Sequence, residues 1–199
     1  MKYFFSFIVV FGLLGFISVE SKTPTDTSEN KIKSATEIPK TSSVLDEYKG
    51  VKIYHNGSVS NVHGRNLTRD GYNLGLKWQC VEFVKRFYFE TFDHKMPDSY
   101  GHAKDFFDKE VNTGWNKSRA MYQYANGSTI LPREDMILVF DGSEENPFGH
   151  IAIIAEQNGN KITVVQQNWG RTTRMRLSLS REGNQYYVDH PDVLGWLSL

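Results

Sequence analysis

The stretch GHIAIIAEQNGNKITVVQQN, residues 149–168, decides how the chain folds. Its two arms, 149–156 and 161–168, are dense in isoleucine and valine, and the QNGN between them is a turn signal. Short runs of β-branched residues bounded by turn formers read as strands, and two so closely spaced pair antiparallel. Working outward, DMILVFD (135–141) repeats the pattern before the turn stretch GSEENPF, and TRMRLSLS (173–180) and YYVDH (186–190) add candidate strands beyond it. The final VLGWLSL (193–199) reads as apolar packing that closes the chain.

Upstream the period changes. In LKWQCVEFVKRFYFETF (76–92) apolar residues fall at 81, 84, 88 and 92, with 83 and 87 beside them and Lys85, Arg86 and Glu90 among the polar positions. That is helical spacing, and the turn-rich TRDGYNLGL before it puts Cys80 in the first helical turn. AKDFFDKEVN (103–112) predicts a second short helix ending near Gly114. Helices first and an antiparallel sheet afterwards describe an α+β domain.

The chain's opening, MKYFFSFIVVFGLLGFISVESK, has one lysine, an apolar run and then small polar residues. That layout predicts a secretory signal peptide over 1–21, with a retained membrane anchor as the competing reading. Residues 22–45 are rich in Ser, Thr, Lys and Glu without an apolar face, the composition of a disordered polar linker. Residues 46–199 then match the size of one domain. The expected location is secreted or periplasmic, free of the membrane once the signal is removed.

Lysines and arginines number 23, as do aspartates and glutamates, so no global field draws the protein to nucleic acid. A single cysteine excludes an internal disulfide. No His-Glu-x-x-His string, cysteine pair or glycine-rich phosphate loop is present, so neither a metal nor another cofactor is expected.

An odd cysteine in an exported chain is either a small buried hydrophobe or a reactive thiol. A helix start offers partial positive charge and unpaired N–H groups, which predicts a lowered pKa for Cys80. Five of the six histidines stand in polar or turn-like surroundings, whereas His150 opens an apolar strand directly after Gly149, a suitable place for a general base. A third group should orient the imidazole, and the neighbouring strand ends in Gln166, Gln167 and Asn168. Alternation puts Gln166 and Asn168 on one face and Gln167 on the other. Residue types alone leave two bland readings open, a strand-edge histidine and polar residues closing a strand.

GYNLGLKWQCVEFVKRFYF, NPFGHIAIIAEQNGNKITVVQQN and VLGWL together resemble the amidase domain of glutathionylspermidine synthetase/amidase, a member of the CHAP superfamily of cysteine, histidine-dependent amidohydrolases/peptidases. The likeness runs from about residue 71 to 197 in unchanged order. It implies a papain-like fold of the NlpC/P60–CHAP type, α+β with N-terminal helices and an antiparallel β-sheet. It further implies Cys80 as nucleophile and His150 as base and later acid, with Gln166 where the family has a glutamate. Asn168 is a second possible orienter. Glutamine supplies only a dipole, so the thiolate–imidazolium pair should be weaker than in the family. The implied activity is thiol-dependent amide hydrolysis through a Cys80 thioester, with a small-molecule or peptide partner. The family amidase points to glutathionylspermidine-like amides; the export signal favours peptidoglycan peptide or amide bonds. The alternative is a catalytically inactive CHAP-like binding module. The acidic loop DGSEEN (141–146) reads by default as a solvated turn, and the sequons at Asn56, Asn66, Asn116 and Asn126 matter only in a eukaryotic secretory route.

Overall fold

A computed structural model describes residues 41–98 and 100–199. The expected signal peptide and the linker up to residue 40 lie outside the described residues. Two hairpins come first: β1 (Val44–Tyr48) with β2 (Val51–Tyr54), and β3 (Arg65–Leu67) with β4 (Asn73–Leu76). Helix α1 (Cys80–Phe92) follows, then a 3-10 turn at Lys104–Phe106. The remaining strands are β5 (Gly114–Asn116), β6 (Met121–Ala125), β7 (Ile137–Phe140), β8 (His150–Asn158), β9 (Lys161–Val165), β10 (Arg174–Glu182), β11 (Gln185–Val188) and β12 (Val193–Ser198). They form one eight-stranded antiparallel sheet in the order β11-β10-β9-β8-β7-β12-β6-β5.

The expected α+β domain with N-terminal helices is therefore corrected. The described residues are mostly antiparallel sheet, with one α-helix and strand hairpins ahead of it. The second helix fails because side chains take the backbone groups it would need. Asp105 Oδ2 accepts from the N–H of His102 at 2.7 Å, and Asp108 Oδ1 from those of Glu110 and Val111 at 3.0 and 3.4 Å. Buried Gln123 of β6 accepts from the N–H of Asp108 and donates to the carbonyls of Asp108 and Asn112. Short acids that hydrogen-bond locally offer the chain an alternative to the helical ladder.

The final VLGWLSL is more than closing packing. As β12 it lies between β7 and β6, with Trp196 fully buried. Gly195 permits this: a Cβ there would overlap the Tyr124 carbonyl oxygen and approach Phe107 Cε2 to 2.7 Å. The sheet also coils on itself, so that edge strand β11 meets the segment after β6. Tyr186 N donates to Ser128 O at 2.8 Å, and the Asn126 carboxamide bonds both backbone groups of Val188.

Alternation along β8 sorts the core into two layers. Ile151 and Ile153 join Val139, Val165 and the Phe83, Val84 and Phe87 face of α1, while Ala152 and Ile154 join Leu138, Val164 and Trp196 inside the coil. Lys85 and Arg86, placed by spacing among the polar positions of α1, are 1% and 6% exposed, because the β3–β4 hairpin and β2 also cover the helix. Phe87 is wholly buried and stacks on Tyr48 at 5.4 Å. Phe87→Ala should cost about 3–5 kcal/mol of stability, read from the urea midpoint. The same change at half-exposed Trp115 should stay within about 0.5 kcal/mol.

Candidate active site

Cys80 is the first residue of α1 and is buried. The N-cap residue Gln79 is extended (φ −80°, ψ 163°), yet its side chain does not cap the helix. Its Nε2 donates instead to the carbonyls of Val59 and Asn61 at 3.1 and 2.8 Å, and its Oε1 accepts from Asn168 Nδ2 at 2.6 Å. The helix mouth thus keeps N–H groups that a serine or aspartate cap would have taken. Those of Cys80 and Val81 face the sulfur, as does that of Ile151, and each favours the thiolate. The Ile151 N–H sets the sulfur at the start of β8, the strand that His150 opens.

His150 is buried, and its Nε2 lies 3.0 Å from Gln166 Oε1. Gln166 is itself wholly buried, and its Nε2 donates to the Thr172 carbonyl at 3.3 Å, which turns its oxygen toward the ring. A carboxamide oxygen only accepts, so His150 Nε2 carries the hydrogen and Nδ1 keeps the lone pair. The preceding Gly149 (φ +71°) lets the strand start close against β7 and the 3-10 turn. A Cβ there would fall on the Phe140 carbonyl oxygen and within 2.9 Å of Lys104 Cβ.

Asn168, expected as a second orienter, bonds Val59, Gln79 and Asn56 through its side chain. Its φ of 65° takes it out of the strand alternation. Its carboxamide bonds Val59 O at 3.1 Å and Gln79 Oε1, and accepts from Asn56 Nδ2 at 2.9 Å. Gln167, between the two, is 1% exposed. Its Oε1 accepts from Tyr54 N at 2.8 Å, and its Nε2 donates to Gln79 O at 3.1 Å and to Glu82 Oε2 at 2.9 Å. Three successive carboxamides therefore hold three different parts of the site: the imidazole, the helix mouth and the Gln79 side chain. Reading from the sequence put Gln167 on the face away from Gln166 without a role, and missed Gln79 and the buried pair Glu82–Arg86 (2.7 Å), although a glutamate four residues before an arginine on a helix is a visible signal.

Burial governs the electrostatics of Cys80 and His150. Burial pulls the His150 imidazole down to about 4, with the Gln166 hydrogen bond pulling back. Burial also pushes the Cys80 thiol up despite the three N–H groups, which corrects the lowered value expected from the helix start. Both groups thus rest in their neutral forms. A cavity of about 60 Å³ adjoins His150, walled by Phe140, Met175, Trp169, Asp141, His190 and Asp192. The Trp169 ring is half exposed and lies 4.8 Å from the imidazole. A larger groove of about 740 Å³, flanked by Asn66, Arg69, Glu90 and Lys95, touches neither Cys80 nor His150. Among the described residues no three His, Cys, Asp or Glu side chains group so as to hold a metal ion.

Comparison with known proteins gives the family. Residues 70–168 match the family model described as CHAP domain, a span holding Cys80, His150 and the Gln166–Asn168 strand end. Residues 70–168 are a CHAP domain. The bifunctional glutathionylspermidine synthetase/amidase of Escherichia coli K12 is 31% identical over 149 residues, covering 67% of this chain and 23% of that protein. Two proteins of Crithidia fasciculata are also similar: a trypanothione synthetase, 25% identical over 76% of this chain and 26% of its own length, and a glutathionylspermidine synthase, 30% identical over 63% and 19%. The chain spans about a quarter or less of these relatives. The crystal structure of Ly7917 aligns over 50% of this chain and 38% of its own at 20% identity with a TM-score of 0.31, too slight a likeness to weigh.

Because folded His150 resists protonation until about pH 4, whereas an unfolded histidine takes a proton near 6.5, the unfolded state binds more protons between those values. Stability should be full above pH 6.5 and fall as pH drops through that window, by up to about 1.4 kcal/mol per unit. Urea midpoints at pH 4.5 and 7 check this, and His150→Ala should flatten the difference.

Proposed function

We propose that the CHAP domain is an amide hydrolase in which Cys80 is the nucleophile and His150 the general base and acid. One observation carries the reading: the 3.0 Å bond that ties His150 Nε2 to Gln166 leaves Nδ1 as the basic nitrogen, at a strand start that the Cys80 sulfur also contacts. Similarity to proteins named as glutathionylspermidine amidase supports amide chemistry on a small molecule or peptide.

The neutral resting pair shapes the chemistry. Cys80 transfers its proton to His150 Nδ1 as the sulfur attacks the amide carbon, so charge separates during reaction instead of standing beforehand. The oxyanion then forms at the uncapped helix mouth, where the Cys80 N–H is a fixed donor. The protonated imidazole gives its proton to the departing amine, and the same nitrogen next activates the water that opens the thioester. Gln166 holds the tautomer throughout and stabilises the imidazolium by dipole alone.

The finer substrate assignment takes two forms. Glutathionylspermidine-like amides follow from the named relatives; peptidoglycan peptide or amide bonds follow from the secreted or periplasmic location proposed on residues 1–21. A catalytically inactive binding module is the second reading, and the uncharged Gln166 favours it.

Hydrolysis of glutathionylspermidine and of peptidoglycan fragments by residues 41–199, side by side, separates these readings. Cys80→Ala should abolish turnover of whichever is cleaved. Gln166→Glu should maintain or raise turnover near pH 7, since a carboxylate favours the imidazolium formed during attack. Turnover that survives Cys80→Ala sinks the thiol mechanism, and silence on both substrates speaks for the binding module.

A further inference from the structure

We propose that Gln167 is a positioning residue: through the Gln79 carbonyl and the Glu82 carboxylate it sets the separation between Cys80 and His150. The inference rests on the Cys80–His150 reading above and adds what holds the two groups in register.

The strand end reaches both halves of the site. Consecutive residues in extended chain point to opposite faces, so Gln166 reaches His150 while Gln167 reaches the helix mouth. One peptide unit thus becomes the spacer between base and nucleophile. Each polar atom of the Gln167 side chain is engaged, by three groups from two elements and the N-cap: Tyr54 N of β2, Gln79 O beside Cys80, and Glu82 Oε2 in the first turn of α1. Glu82 is immobilised in turn, its Oε1 accepting from Asn66 Nδ2 and from Arg86 Nε at 2.7 Å each. Arg86 supplies the compensating charge and donates onward to Lys52 O at 2.8 Å. The charged groups facing the Gln167 amide are therefore Glu82 and, behind it, Arg86.

Further along, α1 meets the sheet through apolar contacts, which do not fix a direction, and at its mouth the Gln79 side chain accepts from Asn168 Nδ2 at 2.6 Å. The Gln167 amide is directional at both ends. A displacement of about 1 Å between reacting groups costs on the order of 100-fold in rate, so a residue that fixes this distance is felt without touching substrate.

Gln167→Met tests this, since it keeps length and apolar bulk but removes donor and acceptor. The readout is the rate of Cys80 alkylation by iodoacetamide, which needs no substrate, measured with His150 present and in His150→Ala. We expect a fall of roughly 10- to 100-fold in alkylation rate and kcat, KM within about two-fold, and almost no further loss in the His150→Ala background. Mere loosening of the fold would instead speed alkylation by exposing a buried thiol. An unchanged or faster rate, or an equal loss without His150, overturns the proposal. Gln167→Glu gives a second arm. Its carboxyl meets Glu82 and shares a proton with it at lowered pH, restoring a donor, whereas two carboxylates repel as pH rises. Alkylation relative to wild type should therefore recover on acidification in Gln167→Glu and stay low in Gln167→Met; no recovery counts against the inference. If His150→Ala alone leaves alkylation untouched, the dyad itself fails and this inference with it. Loss of amide turnover with the alkylation pattern intact would fault only the substrate assignment.

Discussion

Desolvation at the end of β9 is the constraint on which the site depends. Gln166 and Gln167 are nearly inaccessible to water, and so are His150 and Glu82. Every polar atom there must find its partner in the protein, because an unmet buried donor or acceptor costs about 1–3 kcal/mol. The chain meets this requirement with carboxamides, which offer donor and acceptor together and add no charge. Glu82, the buried carboxylate among the described residues, is matched by Arg86 four residues on in the same helix. The result is a polar seam between helix and sheet in which each member's geometry is fixed by the others.

The coil of the sheet contributes to that burial. By folding β11 back to the segment after β6, the sheet encloses one apolar layer and offers its outer face to α1. The helix start then meets β8 and β9 at their ends, where side chains can pass from one layer to the other. His150 lies on the alternation of the inner layer, whereas Ile151, whose N–H faces the Cys80 sulfur, lies on that of the outer. Gly149 and Gly195 occupy places where backbone approaches too closely for a Cβ: the first lets β8 start against the Phe140 carbonyl, and the second lets β12 lie against β6.

Strands with a continuous apolar run were legible: β7, β8 and β9 stand where isoleucine and valine cluster, as does α1 where apolar residues recur at helical spacing. The hairpins before α1 were not, because VKIY and NLGL are too short and too polar at their flanks to show a period. Residues 103–112 carry helical spacing, but the deciding partners, Gln123 and Asn116, come from distant strands that no local pattern announces. The same holds in the site. Cys80 and His150 stand out by position, whereas Gln167 and Glu82 look like an ordinary strand end and an ordinary helix surface until the fold joins them. Alternation served for Gln166 and Gln167 and failed at Asn168, whose left-handed backbone no strand rule foresees.

The four Asn-X-Ser/Thr sequons acquire a meaning from burial. Asn56 and Asn116 are 2% and 1% exposed, and both side-chain amides are spent inside the molecule, on Asn168 and on Gln123 among others. A glycan attached to either while the chain was still unfolded could not be accommodated afterwards, since it would have to leave the interior and break those bonds. The domain is thus suited to production in a bacterial host, and a eukaryotic secretory host would call for removal of those two sequons at their Ser58 and Ser118 positions, where the asparagines themselves stay in place.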